Sequence, residues 1–511
     1  MVRPASARPG GRHTRADVVA ALLVGSAAAA LVLFHLFVPY VIGTSDTGDQ
    51  RRLLCQIDAG DPHFGDGRNS AERFVAIRLS AIPPNPVHCG AFRVTERYPS
   101  SALAVLFPAQ QLTHLAGLRG ALDMRMVGLL YAVLFGLVIG AFVLVLPGPR
   151  LARIAVAAAL GGLGADATFV PYFNSAFSEP MEYVALLGTF AALLALWRQR
   201  TVSPWRLALA TAVFMVVITA KSQDIPLCVL LAGALLTVPC PVGRLRGRVT
   251  GRVLPAVAAA VLMAVGATDL YLQPRQYNEQ LVYTDVFFTI LADSHDVRSD
   301  LAEFGLPPDL ARYAGITWFA VEDELARDPH YAIFLKKITM ADVALFYAHH
   351  PDRLGPVTRV AVQDVLKARH PLPNTTRFET AEPQVVCRIC LIPPVGAALA
   401  PAAVVIWPLW ELGVLAVGAL LVRRRRTEPP WRALGLVLIT SVVFALFHTA
   451  TAILGDGYAE LGKHVFPAVV DTWMVIPLVV LALVGLLAGP PSAYVPVRPG
   501  HARLPGHGVR T

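Results

Sequence analysis

Ten runs of apolar residues divide the chain, at 18–43, 126–146, 154–170, 181–197, 207–220, 225–240, 253–272, 398–422, 433–453 and 467–488. A helix needs about 20 such residues to cross hydrocarbon, so this pattern predicts a series of transmembrane helices. The pair at 207–220 and 225–240 is shorter, and KSQD (221–224) interrupts it. It predicts a tilted pair, or a hairpin whose tip lies below the membrane surface. Two long stretches break the pattern. Residues 44–125 carry both charge signs and the Pro-rich IPPNPVHCG. Residues 273–397 contain DLAEFGLPPDLARYAG and ITMADVALFYAHHPDRL, which predict short helices separated by Pro and Gly.

Composition agrees with the pattern. Of the 511 residues, 55% are hydrophobic and only 15% charged, against about 25% charged in a soluble domain. Mean hydropathy is +0.55. The net charge of +9 does not point to nucleic acid, because the arginines cluster in short connections between apolar runs, as topology signals do. Arg3, Arg8, Arg12 and Arg15 place the N-terminal tail inside. Ten crossings return Arg498, Arg503 and Arg510 to the same side. Between them every connection expected inside is basic: Arg150 and Arg153; Arg198, Arg200 and Arg206; Arg244, Arg246, Arg248 and Arg252; Arg423 to Arg426. Glu428 is the clear acidic exception. Residues 17–43 exceed the length of a signal-peptide core and read as a retained anchor.

The expected fold is therefore an all-α polytopic membrane protein of about ten transmembrane helices, N-in and C-in, in the inner (cytoplasmic) membrane. Its divisions are a basic tail (1–16), a first helix (17–43) and an extracytoplasmic loop (44–125). Helices two to seven (126–272) follow, then a second extracytoplasmic loop with short helices (273–397), helices eight to ten (398–488) and a cytoplasmic tail (489–511).

The cysteines sort by side. Cys55, Cys89, Cys387 and Cys390 fall outside, where an oxidising compartment permits a Cys55–Cys89 disulfide. CRIC (387–390) has the spacing of a redox pair or half a zinc site. No second CxxC or nearby His pair completes a zinc set, which favours a local disulfide.

Four polar clusters stand at expected outer helix ends. TSDTGDQ (44–50) places Asp46 and Asp49 where the first helix meets water. A carboxylate there can act as a general base or coordinate a divalent cation, and a plain helix end explains it as well. DATFVPYFNSAFSEPMEYV (166–184) sets Asn174, Ser175, Ser178 and Glu179 among Tyr172, Phe173 and Phe177. Such a turn suits carbohydrate, although Ser-Glu-Pro is also an ordinary helix start. Lys221 and Gln223 of KSQD either line a polar site, with Lys221 gripping a lipid phosphate, or serve a structural Lys221–Asp224 pair. GDGYAELGKHVF (455–466) crowds Asp456, Glu460, Lys463 and His464 into one short connection. Glu460 stands at i,i+3 and i,i+4 spacing from the two cations, and Lys463 and His464 are also fit to bind a phosphate.

These clusters carry a resemblance. One N-terminal helix ends in an acidic motif before a large outer loop, and polar motifs follow at later outer helix ends. This arrangement resembles the GT-C class of integral-membrane glycosyltransferases. YFNSAFSEP, TAKSQDIPL, QYNEQLVYTDVFFTILADSHDVRSDLAEFGLPPDLARYAG and GDGYAELGKH look like blocks of a bacterial hexose-transferase subgroup of surface-glycan synthesis. The resemblance spans most of 17–488. It implies a polyprenyl-phosphate sugar donor, a glycan or glycolipid acceptor on the extracytoplasmic face, membrane lipid as surroundings and no nucleic acid. It also implies an acid of the first outer loop as catalytic base or metal ligand, which here is Asp46, with Asp49 second. SDTGD replaces the single-acid or DxD-like patterns of some relatives, so the choice between the two stays open. The one cofactor the resemblance allows for is a divalent cation, which such an acid could hold.

Three other functions compete. A lipid-linked glycan transporter or flippase would use the same outer cations, but it should carry a charged path through the membrane. Lys221, Asp224 and Asp269 all stand near outer ends. A non-catalytic subunit of an envelope-glycan assembly complex would use the large loops to bind a partner. An O-antigen-ligase-like enzyme would depend more on Arg and His than on Asp.

Overall fold

A computed structural model of the chain describes residues 13–44, 49–57, 77–78, 98–117, 121–241, 250–369 and 387–488. The order begins with α1 (Arg15–Phe37), α2 (Arg51–Leu54), α3 (Leu103–Leu115), α4 (Met124–Val145), α5 (Arg150–Gly164) and α6 (Glu179–Trp197). Then come α7 (Pro204–Ile218), α8 (Leu227–Leu236) and α9 (Thr250–Leu272). A group of shorter helices follows: α10 (Arg275–Tyr283), α11 (Val297–Glu303), α12 (Trp318–Leu325), α13 (Pro329–Lys337), α14 (Met340–His349) and α15 (Pro351–Lys367). The chain closes with α16 (Ile392–Leu399), α17 (Ala403–Arg424), α18 (Pro429–Asp456), α19 (Leu461–His464), α20 (Phe466–Trp473) and α21 (Ile476–Leu487). Apart from a two-residue antiparallel pair, Ile77–Arg78 with Ala121–Leu122, the regular structure among the described residues is helical.

Seven helical stretches are long and apolar enough to cross a membrane: α1, α4, α6, α9, α16 with α17, α18, and α20 with α21. The chain is thus a multi-pass membrane protein. The other three predicted segments form shorter helices. The 154–170 run stops at Gly164, because Asp166 folds its side chain back onto Thr168 and starts a turn. The 207–240 run yields α7 and α8, of 15 and 10 residues, with the KSQD turn folded between them and Asp224 fully buried. Within 44–125, where only loop was expected, LAVLFPAQQLTHL forms α3.

Small residues bring α1 and α4 into backbone contact. Gly136 and Gly140 form a GxxxG face. A Cβ on Gly136 would lie 2.6 Å from the Gly25 carbonyl oxygen, and one on Gly140 would lie 2.8 Å from that of Ala21. Helices in lipid gain from such close packing because no hydrophobic effect drives them together. At one end of the bundle, Thr14 and Asp17 cap α1 reciprocally, and Asp17 also pairs with Arg150 at 3.0 Å and Arg153 at 2.7 Å. At the other end, His35 Nδ1 lies 2.7 Å from the Ala165 carbonyl oxygen. There Arg388 donates to the His35 and Tyr40 carbonyls at 2.6 Å each. Arg388 sits in CRIC, whose two cysteines adjoin with Cα atoms 5.6 Å apart, within the range of a disulfide.

The short helices after α9 build a second core. Tyr283 stacks on Phe287 at 4.8 Å, Phe287 meets Phe334 edge-on at 5.1 Å, and Phe304 stacks on Phe346 at 5.0 Å. Residues Thr284–Ile290 wind as a π-helix within it. This aromatic layer joins the bundle at the C-terminus of α18. The Tyr458 backbone N–H donates to Thr289 Oγ1 at 3.1 Å, and the Tyr458 hydroxyl donates to Asp293 at 2.5 Å. Gly457 between them has φ +53°, and a Cβ there would sit 2.7 Å from Thr289 Cβ.

Two consequences are measurable. Gly457→Ala should destabilise the protein by about 1–3 kcal/mol, from backbone strain together with the collision, read as a lowered melting temperature in detergent. An unchanged melt would mean that the turn is not fastened to Thr289. The second concerns Asp285 on the π-helical turn, fully buried with neither oxygen hydrogen-bonded among the described residues. Burial, aided by the charge of Asp456, raises its carboxyl well above the ordinary range. A raised acid contributes stability below its unfolded-state value, about 4, and loses that contribution as pH rises. Asp285→Asn should therefore flatten the decline in melting temperature toward alkaline pH, and parallel curves for variant and wild type would contradict this.

Candidate functional site

The site grows from the N-terminus of α6. Glu179 and Glu182 lie one turn apart on the same helix, both fully buried. The KSQD turn presents one partner to each. Lys221 Nζ donates to Glu179 Oε1 at 3.0 Å, and Gln223 Nε2 donates to Glu182 Oε1 at 2.7 Å. The Lys221–Asp224 pair, one of the two readings of KSQD, does not form, because the tight turn sends the two side chains to different neighbours. Aromatic rings wall the approach: Tyr172 packs edge-on against Phe177 and Phe466 at 5.9 and 5.1 Å.

A second cation arrives from α19. Lys463 Nζ lies 5.0 Å from the Phe177 ring centre, 3.3 Å from Glu460, and in direct contact with Asp49. Asp49 also pairs with Arg52 at 3.0 Å. Burial alone pushes the Asp49 carboxyl up, but the charges of Arg52 and Lys463 outweigh it and hold the group well below the usual carboxylate range. Burial likewise opposes the charged form of Lys463, and Asp49, Glu179 and Glu460 overcome it and raise the amine above its ordinary value. Charges thus alternate from Arg52 through Asp49, Lys463 and Glu179 to Lys221. The Asp49 and Arg52 side chains are 21% and 20% exposed and Lys463 only 3%, so the mouth opens at Asp49 and Arg52.

The remaining predicted residues take separate places. Asn174 is buried and donates to the Ile42 carbonyl at 2.5 Å, fixing the chain that leaves α1. Gln50 Oε1 accepts from the Ala176 backbone at 2.8 Å and fixes the same chain further on. Asp456 and His464 pair with each other at 2.9 Å. Asp46 and Cys89 lie outside the described residues, and with Cys89 goes the Cys55–Cys89 pairing. Among the described residues no group of three or more His, Cys, Asp or Glu is arranged to hold a metal ion.

Sequence reasoning passed over a deeper set. His448 of α18 bridges two acids, with Nδ1 2.7 Å from Asp471 of α20 and Nε2 3.3 Å from Asp224 of the KSQD turn. All three are buried, as is Glu411 of α17, which accepts from Thr472 at 3.1 Å. The membrane segments therefore hold more ionisable groups than Lys221, Asp224 and Asp269. The signal was present in FALFHTATAIL and FPAVVDTWMV: an ionisable residue inside an apolar run is costly and marks a site or a fixed pair. Arg52 was missed too, being one of many arginines in a mixed-charge loop.

The family model of the YfdI N-terminal transmembrane domain matches residues 12–484, and the chain belongs to that family. Membership is consistent with a membrane glycosyltransferase-like role. No curated protein and no solved structure matches the chain.

The His448 bridge can be tested alone. His448→Ala would leave Asp224 and Asp471 buried without their shared partner, at a cost of about 3–5 kcal/mol. Thermal unfolding in detergent should show a melting temperature lowered by several degrees. If the variant melts like wild type, the imidazole is not the shared partner of these acids.

Proposed function

We propose that this member of the YfdI N-terminal transmembrane domain family is an inverting GT-C-type enzyme. It transfers a sugar, of the hexose class, from a polyprenyl-phosphate donor to a cell-envelope glycan or lipid acceptor on the extracytoplasmic face of the inner membrane. One observation carries the reading: Arg52, Lys221 and Lys463, from three distant parts of the chain, gather with Asp49 and Glu179 where the membrane helices end. A lipid-linked phosphate lies at that depth, with its chain in hydrocarbon and its charge at the surface.

The chemistry follows from the charges. Asp46 takes the proton of the acceptor hydroxyl as that oxygen attacks the anomeric carbon. The bond from carbon to phosphate oxygen breaks on the opposite face, and its electron pair leaves with polyprenyl phosphate. Lys221 and Lys463 meet the growing negative charge. Asp46 stands three residues before Asp49 in the sequence. Phosphate is a good leaving group and needs no strong acid. The extracytoplasmic side is also oxidising, which suits Cys387 and Cys390 as a disulfide.

A transporter of lipid-linked glycan is the second reading, favoured by the buried row Glu182, Asp224, His448 and Asp471. One reconstitution separates the two. With protein in nanodiscs and a panel of polyprenyl-phosphate sugars, we expect turnover of one donor, loss of turnover in Asp46→Asn, and a fall in kcat of about 10²–10³-fold in Lys463→Gln. Full activity in Asp46→Asn would remove the base assignment. Absence of turnover with every donor, together with flipping of a labelled donor in proteoliposomes, would replace the enzyme with the transporter.

A further inference from the structure

Asp49 is badly placed to be a base and well placed to be something else. Its carboxylate is clamped by Arg52 on one side and Lys463 on the other, at the partly exposed mouth of the site. A carboxylate and a phosphate take the same donors. The guanidinium fork binds either in the same way, and an ammonium binds either as a point charge. Behind the clamp the charges continue inward: Lys463 feels the charge of Glu179, and Glu179 holds Lys221 at 3.0 Å.

The backbone around Asp49 is anchored at the residues that follow it. Gln50 is held by Ala176. The Gln56 amide donates to the Tyr98 carbonyl at 2.5 Å and to that of Arg52 at 3.1 Å. The backbone at Arg52 is therefore held without help from the Asp49 side chain.

We propose that in the substrate-free protein Asp49 occupies the seat of the donor's phosphate between Arg52 and Lys463, and that the incoming phosphate displaces it. The inference rests on the proposed donor class and adds Arg52 as a phosphate ligand. The donor's phosphate is a diester with one charge, like the carboxylate, and it wins the cations because its prenyl chain and sugar bind beside it. After transfer, the same carboxylate competes with the departing polyprenyl phosphate and hastens its release. Asp49 thus weakens phosphate binding, the reverse of what a residue that merely orders Lys463 would do.

That opposition of sign is the test. Binding of a short-chain polyprenyl phosphate to the full-length protein in nanodiscs would be measured beside the neutral polyprenol and inorganic phosphate. Asp49→Asn, which keeps the shape and removes the charge, should bind polyprenyl phosphate about tenfold more tightly. Asp49→Ser should shift binding in the same direction, and Arg52→Gln should weaken it. None of the three should alter polyprenol binding. Weaker or unchanged phosphate binding in both Asp49 variants, with a wild type that prefers the phosphate to the alcohol, overturns the place-holder and leaves the enzyme reading standing. A wild type with no such preference overturns both. If only inorganic phosphate responds to the substitutions, the seat is not the donor's and the proposal falls.

Discussion

A charge buried between membrane helices must find an opposite charge or be neutralised, since leaving one unpaired in a low dielectric costs more than a protein's whole margin of stability. That constraint organises this molecule. Lys221 is bound to Glu179, Lys463 to Asp49 and Glu460, and His448 to Asp224 and Asp471. Apart from Lys463 with Glu460, three residues apart, each pairing joins separate elements. The result fastens α6, the KSQD turn, α18, α19, α20 and the chain after α1 into one polar knot inside an otherwise apolar bundle. The opposite end of the bundle follows the same rule, with Asp17 held by Arg150 and Arg153, and Arg425 by Glu428.

Helices and their membrane character were legible in the sequence because hydrophobic length is a one-dimensional property. Where the reading failed, a local feature overrode length. Asp166 turned the chain inside a run that looked apolar to residue 170, and α3 hid in a stretch whose Pro108 and mixed polarity suggest loop. The candidate site was half legible. Lys221 and Lys463 stood out as cations flanked by apolar runs, and Glu179 as an acid at a helix start. Their partners were not readable, because a pair such as Asp49 with Lys463 is separated by 414 positions and exists only once the bundle closes. His448 and Asp471 escaped for another reason: one ionisable residue barely changes the mean hydropathy of a 22-residue run.

The two assigned layers of charge differ in kind. The outer one, with Arg52 and Asp49 partly exposed, can exchange partners with something from solution. In the inner one, His448, Asp224 and Asp471 are sealed, which makes that set a fixed fastening of helices around the exchangeable one. A rigid inner layer keeps Gln223 and Lys221 aimed while the outer pairs rearrange.

The turn at Gly457 adds a mechanical property. Tyr458 is pinned to Thr289 and Asp293 of the aromatic layer, and Lys463 stands five residues further along the same short connection. Layer and cation therefore share a crank. A tilt of the layer would be transmitted through that connection to the ammonium over Phe177.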